Sequence, residues 1–220
     1  VYAPVGASEG PSAKDPNDGR EKALAKIYFR YGAMNSSKTA NALMVAYNYS
    51  ERGQKALLVK PDTDDRISCE PLISSRIGIS LPAIFLSVFI KMTAEELNPY
   101  ACVIIDEAQF LTAANVDRLV MIADDLNIPV ICYGLRADFR GQLFEGSRCL
   151  LTVADTIEEM KTVCWCGKKA TCNARVSASG EMVAEGPQVL LGGNERYTSL
   201  CRKHFNLRQP YPPKEGQPDE

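Results

Sequence analysis

The sequence predicts an α/β fold: a parallel sheet covered by helices, followed by a smaller lobe. Three observations carry this. An aromatic and β-branched run at 26–31 is joined by short apolar runs at 55–60, 84–90, 102–105 and 129–133. Such runs suit strands buried on both faces. Stretches of helical composition fall between them at 40–52, 93–97 and 115–126, and such alternation is the pattern of a parallel sheet with crossover helices. After residue 159 the texture changes to cysteines, glycine-marked turns at Gly180, Gly186, Gly192 and Gly193, and short strand-like pieces.

Taken in order, residues 26–31 read as a strand, 32–39 as a Gly-led polar loop and 40–52 as a helix that Gly53 ends at its C′ position. The expected division is 1–20 a flexible extension, 21–157 the α/β domain, 158–205 the lobe and 206–220 a proline-rich disordered tail. Residues 1–18 lack an apolar h-region and read as a loose extension, not as a secretory signal.

At 220 residues the chain suits one domain with a small lobe attached. Hydrophobic residues at 45% and charged residues at 24% exclude disorder over most of the length. A formal charge of −2 and a pI near 5.6 give no electrostatic footprint for nucleic acid, and no nucleic-acid partner is expected. The longest apolar candidate, 84–90, falls far short of the roughly 20 residues that cross a bilayer. No membrane partner is expected, and the location expected is cytoplasmic. Of the eight cysteines, Cys102 and Cys132 lie in apolar runs where single thiols pack as small hydrophobes, so reduced thiols are expected.

The loop Gly32, Ala33, Met34, Asn35, Ser36, Ser37, Lys38, Thr39 follows the pattern G-x-x-x-x-G-K-[ST] except that Ser37 replaces the second glycine. Between a strand and a helix this pattern cradles polyphosphate, because backbone N–H groups line a nest and the helix N-terminus adds partial positive charge. Lys38 is expected to reach the β and γ phosphates of ATP, and the Thr39 hydroxyl to ligate magnesium. The apolar run 102–105 ends in Asp106 and Glu107. Carboxylates at that strand end suit a magnesium-holding aspartate and, one residue on, a proton acceptor. Helix capping is the alternative use of such residues.

Cys164 and Cys166, with Cys201 three residues before His204, the chain's single histidine, form two ligand pairs joined by a long loop. That is the form of a closed structural zinc site, which a lobe with little core needs as a staple. Cys172 is a competing ligand candidate, and free thiols in a small lobe are the alternative.

Taken together, these motifs resemble the zinc-containing thymidine kinases of bacteria and animal cytosol. The resemblance runs from about residue 26 to 205 and is carried by residues 106–110, 139–144 and 192–197 leading to Cys201. It implies ATP-dependent phosphorylation of the 5′-hydroxyl of thymidine, and of deoxyuridine, for DNA synthesis through nucleotide salvage. Glu107 is then the general base, and Asp106, Glu107, Ala108 and Gln109 border the nucleotide beside the phosphate loop. Met34, Leu135, Phe139 and Phe144 wall the thymine ring. A lasso-like loop from the lobe, Gln188, Val189, Leu190, Leu191 and Gly192, reads the base through its main chain, and Tyr197 touches the nucleoside. The resemblance also implies a homotetramer and feedback by dTTP.

Three positions depart from the family pattern: Ser37, the pair Cys172 and Asn173, and the basic stretch 136–140, where Arg140 is a candidate phosphate neighbour. The alternative function is another P-loop ATPase with a structural zinc lobe, in which Glu107 activates water.

Overall fold

The computed structural model describes residues 24–62, 71–189 and 196–213. Its centre is a six-stranded, all-parallel sheet in the order β5-β2-β6-β7-β1-β8. The strands are β1 (Ile27–Tyr31), β2 (Ala56–Lys60), β5 (Ile84–Phe85), β6 (Cys102–Ile105), β7 (Val130–Gly134) and β8 (Thr156–Glu159). Every residue of β6 and β7 is buried, as strands covered on both faces require.

Side chains alternate across the sheet, so the inner strands feed two cores. Leu58, Cys102, Ile104, Ile131 and Tyr133 pack on one face with Ala42, Leu43 and Ala46 of α1 (Lys38–Glu51). On the other face, Phe29, Val59, Val103, Ile105 and Val130 meet residues from the remaining helices of the domain: α2 (Leu86–Phe89), α3 (Ala94–Leu97), α4 (Ala113–Leu126) and α5 (Glu145–Val153).

Local chemistry sets the helix ends. Gly53 takes a φ of +70° after α1, donating to the Ser50 carbonyl at 2.9 Å. Thr93 and Glu96 close a capping box on α3, and Thr112 and Asn115 close one on α4.

The run 84–90, expected as one strand, is a strand only over Ile84–Phe85 and then turns helical. Periodicity does not separate a short apolar strand from a buried helical turn. Here β5 is an edge strand that pairs with β2 at two positions, and Phe89 enters the core from the helix. Three elements lie outside the expected set. One is the hairpin β3 (Leu72–Ser74) and β4 (Ser80–Pro82); the others are α5 and the edge strand β8, whose sequence TIEE has no apolar run and whose middle residues are exposed.

The lobe is built from hairpin β9 (Thr162–Val163) and β10 (Lys169–Ala170), the pair β11 (Cys172–Val176) and β12 (Arg196–Leu200), and α6 (Arg202–Asn206). Its own small core joins Ala170, Ala174, Met182 and Leu200 to Cys164 and Cys201. Within the stretch expected as a disordered tail, residues up to 209 pack back on the lobe. Gln209 donates to the His204 carbonyl at 2.9 Å, and the Trp165 indole donates to the Gln209 carbonyl at 3.1 Å. The expected extension at 1–20 and the last residues, 214–220, lie outside the described residues. Among the described residues no helix is long and apolar enough to cross a membrane, and the seven cysteines are free.

Candidate active site

The carboxyl ends of β6, β7 and β1, adjacent in the sheet, deliver the site's three loops together. Gly32 leaves β1 with its N–H on the Gly134 carbonyl at 3.2 Å. A Cβ there would lie 2.5 Å from the Met160 carbonyl oxygen, so no larger residue fits. Asn35 and Ser37 adopt left-handed backbone, with φ of 62° and 59°. Ser37 thus occupies the conformation that favours glycine, at a cost of about 1–2 kcal/mol.

Lys38 is buried, and its ammonium donates to the Ala33 carbonyl at 2.9 Å, the Gly32 carbonyl at 3.4 Å and the Ser36 hydroxyl at 3.3 Å. Burial lowers its pKa, while the charges of Glu107 and Asp106 oppose that shift. Gly32 and Ala33 therefore meet the lysine through their carbonyls, whereas Met34 to Thr39 line the cleft itself.

Asp106 closes β6, 5% exposed, and its Oδ1 has no hydrogen-bond partner among the described residues. Burial first, then the neighbouring Glu107 charge, push its pKa up to about 6, against the Thr39 hydroxyl and Lys38. An orphaned carboxylate oxygen beside a threonine hydroxyl is a donor set that suits a hard divalent cation.

Glu107 has a φ of 52°. Its carboxylate accepts from Gln109 Nε2 at 2.5 Å, and Gln109 Oε1 accepts from the Leu135 N–H at 2.9 Å. Gln109, expected at the nucleotide, is a buried strut between the acid and the end of β7 and also lines one of the two clefts that meet here. Ala108, expected there too, is fully buried in the core and lines neither main cleft.

Two clefts of about 340 Å³ each meet at this point, and Met34, Thr39, Ser74, Glu107 and Leu135 line both. One is walled by the phosphate loop and the β3–β4 hairpin. The other is walled by Phe110, Leu135, Phe139, Phe144, Gln188, Val189 and Tyr197. Of the expected base-contacting set, Leu190, Leu191 and Gly192 lie outside the described residues.

Several residues that shape this second cleft escaped the sequence reading. Arg175, 1% exposed, donates to the Tyr197 hydroxyl at 2.8 Å and the Pro187 carbonyl at 2.9 Å, with its guanidinium 3.8 Å from the Phe139 ring centre. Its sole signal was a charge inside a short strand of small residues. Asp138 accepts from Arg140, from two main-chain N–H groups and from Gln188 Nε2 at 3.2 Å. Burial opposes these hydrogen bonds, yet together they hold its pKa below the usual carboxylate value. Arg140 is therefore committed to Asp138 and is not directed at the phosphate loop.

The lobe grips the loop directly. Asn173 Oδ1 accepts from the Met34 N–H at 2.8 Å while its Nδ2 donates to the Ala137 carbonyl at 2.8 Å, and Ser199 donates to the Met34 carbonyl. Asn173, expected only as a departure near the base, thus joins three segments.

Cys164, Cys166, Cys201 and His204 hold their donor atoms within 4.8 Å of one another. His204 Nδ1 lies 3.4 Å from the Cys164 sulfur and 3.5 Å from that of Cys201, and the Cys166 and Cys201 sulfurs are 3.9 Å apart. A tetrahedron with Zn–S of about 2.3 Å and Zn–N of about 2.0–2.1 Å needs separations of about 3.6–3.8 Å. The four could hold zinc, and Cys172 is outside the group. Trp165 stacks on His204 at 4.1 Å and 18°.

The loop, the acid pair and the adjoining apolar cleft together define a P-loop nucleotide-binding protein with room for an acceptor beside the phosphates. A family model for thymidine kinase matches residues 25–205, and the chain belongs to that family. The thymidine kinase of Coxiella burnetii is 48% identical over 193 residues, covering 85% of this chain and 98% of that protein. Those of Rhodopirellula baltica and Escherichia coli K12 are 47% and 46% identical over 187 residues, covering 83% of this chain and 88% and 91% of those proteins.

The Asp106 shift has a definite sign. Its pKa in the folded, metal-free chain lies above the unfolded value, so the stability it contributes is full below about pH 4 and is lost as pH rises through about 6. Asp106→Asn removes the buried charge. The metal-free variant is expected to melt above the parent at neutral pH and to converge with it near ~pH 4. Thermal melts across that range check this, and a variant melting below the parent at neutral pH would refute it.

Proposed function

We propose that the chain transfers the γ-phosphoryl group of ATP to the 5′-hydroxyl of thymidine, and of deoxyuridine, as the salvage step that makes the monophosphate. The observation that carries this reading is that Glu107 lines both clefts at once, facing the phosphate loop on one side and the apolar cleft on the other. Membership of the thymidine kinase family supports the choice of acceptor.

Residues 32–39 cradle the β and γ phosphates, and Lys38 turns from the Gly32 and Ala33 carbonyls to the phosphate oxygens. Magnesium held by Thr39 and Asp106 would neutralise charge on those oxygens. Glu107, steadied by Gln109, takes the proton of the 5′-hydroxyl as that oxygen attacks the γ phosphorus. The bond to the β-phosphate oxygen then breaks and ADP leaves. The protein contributes mainly alignment and charge, because this transfer needs little covalent help.

Met34, Leu135, Phe139 and Phe144 hold the thymine ring, with Gln188 and Val189 bordering it and Tyr197 against the nucleoside. The Cys₃His group holds a structural zinc: four protein ligands leave no open position for chemistry. Resemblance alone supports the remaining parts of the reading, a cytoplasmic homotetramer under dTTP feedback.

Purified protein with MgATP should release ADP in the presence of thymidine or deoxyuridine and not without a nucleoside. Nucleoside-independent turnover would point to an ATPase instead. Glu107→Gln should lower kcat by about 10² or more with ATP binding nearly intact, as loss of a general base does. Unchanged kcat would remove Glu107 from that role. Chelation of zinc should alter the emission of Trp165, the single tryptophan, which is stacked on His204, and should lower the melting temperature. A zinc-free protein with the same emission and melting temperature would count against the staple.

A further inference from the structure

The β3–β4 hairpin has no part in the reading above, yet it forms one wall of the phosphate-side cleft. Its base is anchored, since Ile73 is 4% exposed and packs in the core beneath α1. Its tip is held by its own hydrogen bonds, Ser75 N–H to the Ile79 carbonyl at 2.8 Å and Gly78 N–H to the Ser75 carbonyl at 3.1 Å. The turn is thus built to hold what it carries, and it carries Arg76.

The Arg76 guanidinium donates to the side-chain oxygen of Asn35 in the phosphate loop. Lys38 and Arg76 are the two cations among the described residues lining this cleft, on opposite walls, and the Arg76 charge acts on Lys38. Two like charges converging on one cleft repel each other until an anion lies between them. A neutral amide is also a weak partner for a guanidinium, since hydrogen bonds to an ionised acceptor such as phosphate are roughly twice as strong. Phosphate in the cleft would therefore take the guanidinium from Asn35. In phosphoryl transfer, an arginine supplied by the same chain neutralises charge that grows on the γ-phosphate oxygens.

We propose that Arg76 is a catalytic residue, delivered by the β3–β4 hairpin, whose guanidinium binds the terminal phosphate of ATP opposite Lys38. The proposal rests on the kinase reading, and its test separates the two. Arg76→Ala and Arg76→Lys are compared with the parent for kcat and KM, with and without added guanidinium chloride, and for MgATP affinity by calorimetry. Arg76→Ala should lose about 10³ in kcat, keep its KM for thymidine, and regain part of the loss with free guanidinium. Arg76→Lys, which restores charge without the planar fork, should fall between. An Arg76→Ala kcat within about threefold of the parent, or a loss that guanidinium leaves untouched, overturns the assignment. A parent that releases no ADP with thymidine overturns the kinase reading instead. In that case MgATP affinity still decides Arg76: at least a tenfold loss in Arg76→Ala supports it, and equal affinity overturns it.

Discussion

The parallel pairing of β6 with β7 and of β7 with β1 is the constraint on which everything functional depends. Parallel strands point their carboxyl ends the same way, and these three are adjacent. The phosphate loop, the Asp106–Glu107 pair and the Gly134–Leu135 turn therefore emerge side by side, whatever their distance in sequence. Burial on both faces supplies the stability that holds this arrangement, since each strand feeds one core with alternate side chains and the second core with the rest.

Against that rigid base the site departs from local comfort. Ser37 and Glu107 have positive φ, and Asp106 is a buried carboxylate with an oxygen that has no partner among the described residues. Each costs stability, and all three belong to the segments that border the phosphate-side cleft or close strand β6 beside it. Such concentration of strain within a few ångströms is typical of places where binding was selected over folding.

What the sequence made legible follows from range. The phosphate loop and the acid pair are contiguous, and their chemistry shows in eight and two consecutive residues. The Cys₃His group was readable because its ligands fall in two short pairs and include the chain's single histidine. The elements that escaped were those defined by distant partners. Edge strand β8 is recognised by its ladder with β1, not by its own TIEE, and Arg175 gains meaning from Tyr197, Pro187 and Phe139. The run 84–90 failed for the opposite reason: its apolar character was real, but an edge position with two pairing residues left most of it to a helical turn. Phe139 and Phe144 were placed by family resemblance, since nothing in their spacing distinguishes a cleft wall from core.

Met34 shows what the register of a strand pair is for. Asn173 and Ser199 are direct partners across β11 and β12, so their side chains leave the ladder at the same height. One accepts the N–H of Met34 and the other donates to its carbonyl. A stretch of loop backbone that belongs to no sheet is thereby received as a neighbouring strand would be, with side chains standing in for main chain. Such a socket has polarity as well as position. Exchanging the two residues would leave composition and charge untouched, yet would present a hydroxyl to the amide and an amide to the carbonyl, each from a different length of side chain. The phosphate loop takes its shape in part from a gauge cut into the neighbouring lobe, and a slip of one residue in that strand pair would turn the gauge to the opposite face.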